Sequence, residues 1–208
     1  MDYGKIAKPF WDDKPVAIVG GGPSLVGFDF EQLRGAHVLA VKRSIFAIPW
    51  ADAGFGLGEW QDKLTNVTGR VYWAVPEDQL LPAPAKNVTF LRRLSGQDVS
   101  ADPSCVYGGG TSGFASMQVG IHKRAKRIIL FGFDYVSTIT GANPGEPSTQ
   151  FQRRREQTEG NWRKWAEHFR VYVTPLREHG ISVVNACPQS QIGCFQKVTL
   201  DDGVNMLH

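Results

Sequence analysis

The run PVAIV (Pro15–Val19) is apolar at every position and stops on Gly20-Gly21-Gly22-Pro23-Ser24-Leu25. A strand with one wet face alternates apolar and polar residues, whereas a strand covered on both faces does not. The run therefore predicts a strand buried inside a parallel sheet, with a sharp turn at its carboxyl end. HVLAV (His37–Val41) repeats the pattern. Further strands are predicted over Ala53–Leu57, Arg70–Val75, Val88–Leu91, Arg127–Phe133 and Ile181–Val184. Helices fall between several of them. Ser112–Arg124 places Phe114, Met117, Gln118 and Ile121 at helical spacing, a stripe with one polar interruption. Asn161–His179 aligns Trp162, Trp165, Ala166, Phe169, Val173 and Leu176 on one face. Pro175 should kink or break that helix one turn before Gly180 ends it. Strands alternating with helices predict an α/β fold: a single Rossmann-like domain over residues 1–208, its mainly parallel sheet flanked by helices.

Composition narrows the functional classes. Apolar residues make up 42% of the 208, enough for a core, which excludes general disorder. The 23 Lys and Arg stand against 20 Asp and Glu, leaving +3, so a nucleic-acid partner is only weakly supported. No apolar run reaches the ~20 residues of a membrane span, and the first residues lack a signal-peptide pattern. The cysteines Cys105, Cys187 and Cys194 are odd in number and widely spread. They suit a reducing cytoplasm better than a disulfide framework or a zinc site, and no grouping has metal-ligand spacing.

Two glycine-rich turns carry the functional signal. The first, Gly20–Leu25, follows a strand directly, where ligands of parallel sheets bind. Its glycines permit close approach of a ligand to backbone N–H groups, yet it is neither a P-loop nor a GxGxxG turn. The second, Tyr107-Gly108-Gly109-Gly110-Thr111-Ser112-Gly113, leads into a helix for which Thr111 or Ser112 is a natural cap. Together they point to a nucleotide or another phosphate-bearing ligand. Asp134, at the end of a buried strand, suits a sugar hydroxyl, a metal, a proton in transfer or an Asx-turn. Asn185 suits a base or ribose edge, with Ser190 in the following turn. Lys42 and Arg43 follow the second strand, placed to neutralise a leaving phosphate. The five histidines read as surface or helix-end residues, His168 and His179 lying off the apolar stripe of their helix. Arg153-Arg154-Arg155 and the Lys123–Arg127 cluster suit either the phosphates of a polymer or a solvated basic helix face, and the near-neutral total charge favours the second. The stretch Val136–Gln150 reads as an active-site loop.

The segments GGGPSL (Gly20–Leu25), VLAVKRS (Val38–Ser44), GGGTSGFASMQVGI (Gly108–Ile121), RIILFGFDY (Arg127–Tyr135) and VVNACPQS (Val183–Ser190) occur in order along nearly the whole chain. In these the chain resembles the bacterial sialyltransferase-like glycosyltransferases (glycosyltransferase family 42). It is similar too to bacteriophage proteins that share their nucleotide-binding core, and to hydroxymethylpterin diphosphokinase-like proteins. The resemblance implies that Gly21, Gly22, Pro23, Ser24, Thr111, Ser112 and Gly113 hold the cytidine nucleotide of a CMP-sugar donor, with no metal. It places Asp134 beside that nucleotide, with Gly110 and Tyr135 in the same two segments. The chain departs from the family at Lys42, where Asn is usual, at Gly109, where a basic residue is usual, and at Val136, which replaces an aromatic. The family's catalytic histidine lies after that strand, and Val136–Gln150 contains none.

The expectation is a nucleotide-dependent transferase, glycosyltransferase-like, with a CMP- or other nucleotide-activated donor as substrate and no cofactor. Asp134 or Glu146 would replace the missing histidine as base. The alternatives are a non-catalytic nucleotide-binding protein that sequesters or senses its ligand, and a morphogenetic interaction protein using the aromatics Phe10-Trp11 and Trp50. A cytoplasmic location is expected for each, that of the host if the chain is phage-encoded.

Overall fold

A computed structural model describes residues 3–7, 10–57, 69–79, 86–136 and 155–208, with backbone alone for 155–160. Glu146, most of the Val136–Gln150 stretch and Arg153–Arg154 lie outside the described residues. The strands are β1 (Pro15–Val19), β2 (His37–Val41), β3 (Ala53–Leu57), β4 (Arg70–Val75), β5 (Val88–Leu94), β6 (Cys105–Tyr107), β7 (Arg127–Phe131), β8 (Ser182–Asn185) and β9 (Gln196–Lys197). They form one sheet in the order β6-β5-β4-β3-β2-β1-β7-β8-β9, and every neighbouring pair is parallel. The chain winds outward from β1 to β6, then crosses back to lay β7 on the other side of β1. The reversal of strand order therefore falls between β1 and β7, where open α/β sheets form a crevice at the carboxyl ends of their strands.

The apolar runs are buried on both faces, as their lack of alternation predicts. Val16 and Ile18 point into one core with α2 (Ser112–His122), while Ala17 and Val19 point into a second on the opposite face. The second core takes in Ile45 of the short α1 (Ser44–Ala47) and the partly buried Leu200 and Val204 of α5 (Leu200–Asn205). The glycines of β3 are spacers: a Cβ on Gly56 would overlap the Trp73 ring of β4.

The helices depart from the sequence expectation in two instructive ways. α2 is buried nearly all round, not striped, because it fills the centre of one layer. Its interior Gln118 is fully buried and satisfied: its Oε1 accepts from the Ser100 and Tyr107 N–H groups, and its Nε2 donates to the Tyr107 carbonyl. The long helix is divided into α3 (Arg155–His168), a 3-10 turn (Phe169–Tyr172) and α4 (Val173–Glu178). The break precedes Pro175, which sits in the first turn of α4 where its missing N–H costs nothing. A 3-10 turn stacks residues three apart, so Tyr172 takes the inward position that unbroken α-helical phase assigns to Val173. Tyr172 is buried and donates its hydroxyl to the Phe114 carbonyl of α2 at 2.6 Å, while Val173 is 44% exposed.

Lys123 is no part of a solvated basic face. It is buried, its ammonium donates to the Ala7 carbonyl at 2.9 Å, and it lies 5.7 Å from the Trp11 ring centroid and 5.5 Å from that of Tyr72. Trp11 is buried in the same core and offers no partner surface. The ring of Trp50 carries the Arg34 guanidinium at 4.6 Å and its Nε1 donates to Glu31. Among the described residues no helix is long and apolar enough to cross a membrane.

Burial, and secondarily the nearby Arg70, pushes Lys123 from 10.5 down to about 8. Between those values the unfolded chain holds a proton that the folded chain has released, so stability rises with pH across that window. The buried Cys187 thiol, pushed up to about 11, acts in the opposite direction over the same range, so the Lys123 effect is read as a difference between proteins. Between about pH 8 and about pH 10, the change in urea-unfolding stability should be more positive in wild type than in Lys123→Met by up to a few kcal/mol, and an equal change in both would refute the assignment.

Candidate functional site

The carboxyl ends of the strands carry both glycine turns, but the two are used differently. The first is fastened down. The N–H groups of Gly20 and Gly22 donate to the carbonyls of Phe131 (2.7 Å) and Gly132 (2.9 Å), at the end of β7. Asp134 accepts from the Ser24 N–H at 3.1 Å and from the Ser24 hydroxyl at 2.8 Å. Ser24 Oγ also lies 3.3 Å from Cys187 Sγ. A Cβ on Gly22 would overlap the Asp134 carboxylate, which is why this position has no side chain. Asp134 is 3% exposed, and its burial raises its pKa against the lowering effect of the Ser24 hydrogen bonds. Gly21 is exposed with open space around it, and Pro23 begins a short 3-10 turn.

The second turn is open. Thr111 caps α2, its hydroxyl accepting from the Phe114 N–H at 3.1 Å. That cap leaves the N–H groups of Ser112 and Gly113 without intrahelical partners, at the positive end of the helix dipole. The Ser112 hydroxyl is buried and has no hydrogen-bond partner. Tyr135, with φ of +52°, is buried against Trp162 and Phe169 and shares a 2.7 Å hydrogen bond with the Thr111 hydroxyl. It braces the cap from behind, and its burial pushes the phenol pKa well up.

In front of this turn lies a cleft of about 520 Å³, lined by Lys42, Leu57, Arg93 to Gln97, Gly108 to Ser112, Lys164, Trp165 and His168. The sequence-predicted residues Lys42, Gly110, Thr111 and Ser112 meet there. Gly20–Ser24, Arg43, Gly113, Asp134, Tyr135, Asn185 and Ser190 do not line it. Asn185 is fully buried, its amide donating to the Phe133 carbonyl at 3.4 Å, and Ser190 donates to the same oxygen at 2.6 Å. Both therefore brace the end of β7 and present no edge to the cleft. Lys42 occupies the left-handed region, with φ of +56°, and its N–H donates to the Phe55 carbonyl.

The sequence reading missed His168. This residue ends α3, and its Nδ1 lies 2.9 Å from the Gly109 carbonyl in the second glycine turn. A carbonyl oxygen only accepts, so the neutral ring carries its hydrogen on Nδ1 and leaves the Nε2 lone pair free. Phe114 meets the ring edge-on at 6.4 Å. Trp165, one turn earlier, covers Gly110 so closely that a Cβ there would lie 2.6 Å from the indole Nε1. Lys164, Trp165 and His168 sit at i, i+1 and i+4, a spacing that puts them on one side of the helix. That spacing is visible in the sequence, but the face it turns to the second glycine turn is not.

No family model matches the sequence, and neither does any curated protein. Among solved structures, the MAf glycosyltransferase from Magnetospirillum magneticum AMB-1 aligns over 92% of this chain with a TM-score of 0.56 at 12% identity. The chain spans about a third of that protein's length, 34%. The sialyltransferase CstII from Campylobacter jejuni, in complex with the substrate analogue CMP-3FNeuAc, aligns with a TM-score of 0.47 at 15% identity. It covers 89% of this chain and 86% of that one. A CST-II complex with trisaccharide acceptor and CMP gives 0.46 at 13% identity over the same shares. The likeness to the Magnetospirillum enzyme establishes the α/β fold, a parallel sheet of Rossmann-like kind flanked by helices.

Ser24→Ala removes a hydrogen bond to a buried carboxylate and should lower unfolding stability by about 1–3 kcal/mol in urea titrations. Gly22→Ala should cost more, because the Asp134 carboxylate and the Gly132 carbonyl both stand where its methyl group would go. Equal stability of wild type and Gly22→Ala would rule out the fastened turn.

Proposed function

We propose that the chain is a glycosyltransferase-like enzyme that moves a sugar from a nucleotide-activated donor to an acceptor hydroxyl. One observation supports this reading above the others: an oriented histidine and an open helix N-terminus share one cleft at the carboxyl edge of a parallel sheet. The donor phosphate would sit at the open end of α2 on the Ser112 N–H, with the Ser112 hydroxyl and Lys42 beside it. The anomeric carbon–oxygen bond breaks and its electron pair leaves on phosphate. The acceptor oxygen bonds to the anomeric carbon and its proton passes to His168 Nε2. Positive charge from Lys42, Arg93 and the helix end meets the leaving phosphate, a role that metal ions fill elsewhere. His168 takes the place for which the sequence reading had only Asp134 and Glu146. In this reading Asp134, its carboxylate held by Ser24, acts on the shape of the β1 turn, and Asn185 and Ser190 act on the end of β7. The resemblance found in the sequence favours a CMP-activated donor.

Thermal melts with nucleotides and transfer assays with nucleotide-sugars test the proposal together. A bound nucleotide raises the melting temperature by mass action. His168→Ala should retain that rise and lower transfer by about 10²–10⁴-fold, the usual contribution of a general base. Binding with no donor ever consumed would instead make this a nucleotide-sequestering or sensing protein. No rise with any nucleotide would end the proposal.

A further inference from the structure

The cleft holds a hydrogen-bond donor that neither the fold nor the transfer chemistry above uses. Trp165 of α3 lines it, and the Nε1–Cδ1 edge of its indole is the part nearest the second glycine turn. Nε1 lies 2.6 Å and Cδ1 2.8 Å from where a Cβ of Gly110 would stand, against 3.5 Å for Cε2. Trp162 meets the same ring edge to face at 5.2 Å. Among the described residues the Nε1–H has no hydrogen-bond partner. The sealed-in polar side-chain atoms without a partner belong to Tyr72, Ser112, His122 and Asn185, so the Trp165 nitrogen is reached by solvent from the cleft.

An indole nitrogen donates and never accepts, so the ligand atom opposite it must be an acceptor. The Ser112 N–H at the open end of α2 and the orphaned Ser112 hydroxyl make the same demand from the other side of the turn. Gly110 and Ser112 are two residues apart, about 7 Å at most. Two donors that grip one phosphate from opposite sides stand roughly 8 Å apart. The indole is already held by Gly110 and Trp162, so little side-chain freedom is lost when it binds.

Resting on the donor-site reading above, we infer that the Nε1–H of Trp165 donates directly to the phosphate of the bound nucleotide. The helix α3 then brings to the glycine turn both a phosphate contact and, three residues later, the base His168.

Proton–nitrogen spectra of the full chain report the indole groups of its six tryptophans, and Trp165→Phe, which keeps an aromatic ring at Gly110, removes one resonance. Should that variant fail to fold, the nuclear Overhauser contact with the Gly110 α-protons assigns the same resonance in wild type. The titrants are CMP, UMP, AMP and GMP, each against its nucleoside. A nucleotide that binds should move the Trp165 indole proton downfield, as a new hydrogen bond to a charged acceptor does, and its nucleoside should leave it in place. Trp165→Phe, with an unchanged melting temperature when unliganded, should bind that nucleotide about tenfold or more weakly, the loss of one hydrogen bond to a charged group. An unmoved Trp165 resonance in the presence of a bound nucleotide would overturn the inference and leave the glycosyltransferase reading standing. So would full affinity in Trp165→Phe with loss in Trp165→Leu, the pattern of a ring that stacks. No binding of any of the four nucleotides would overturn both.

Discussion

Every strand of the sheet runs in the same direction, and the rest of the molecule follows from that. Parallel strands cannot be joined by hairpins, so each connection must cross back over a face and supply cover for it. The inner strands are consequently hidden on both sides, and the turns that leave them all lie at one edge. Since β1 lies at the centre and β7 is added on its far side, two turns from distant parts of the chain meet there. The glycine run after β1 and the FGFDY segment after β7 interlock through paired backbone and carboxylate hydrogen bonds. That interlock fixes the shape of the carboxyl edge between β1 and β7.

The sheet was largely legible in the sequence because its inner strands bury both faces and so read as unbroken apolar runs. Cys105–Tyr107 and Gln196–Lys197 escaped for the opposite reason: both are edge strands, and each is too short to show a pattern. The long helix was legible as a stripe but not as three pieces, since a 3-10 turn leaves no compositional mark. Lys123 was misassigned because a run of basic residues suggests solvent, while the aromatic rings that enclose its ammonium come from distant segments. Both glycine turns looked alike on paper. Only their partners separate them, and those partners, Asp134 for one and His168 for the other, lie about a hundred and about sixty residues away.

His168 shows the limit of local reading most clearly. Its neighbour in the chain, Glu167, is acidic, yet the group that orients the ring is the backbone carbonyl of Gly109. Main-chain partners are invisible to any search for side-chain motifs. The glycine that supplies the carbonyl has φ of +53°, and a Cβ there would overlap the Phe114 ring. The same glycine run thus turns an oxygen toward the histidine, and the open end of α2 follows it directly.

Lys42 carries a different kind of consequence. Its left-handed backbone belongs to a region that Asn enters more readily than most residues, and Asn is the residue usual at this position in the glycosyltransferases the sequence resembles. A lineage can exchange amide for ammonium there without rebuilding the loop, so the position works as a charge dial on a fixed mount. Divergence among such proteins need not begin with new folds or new loops. One codon at a conformationally privileged site is enough to change the charge at that point of the sheet's edge.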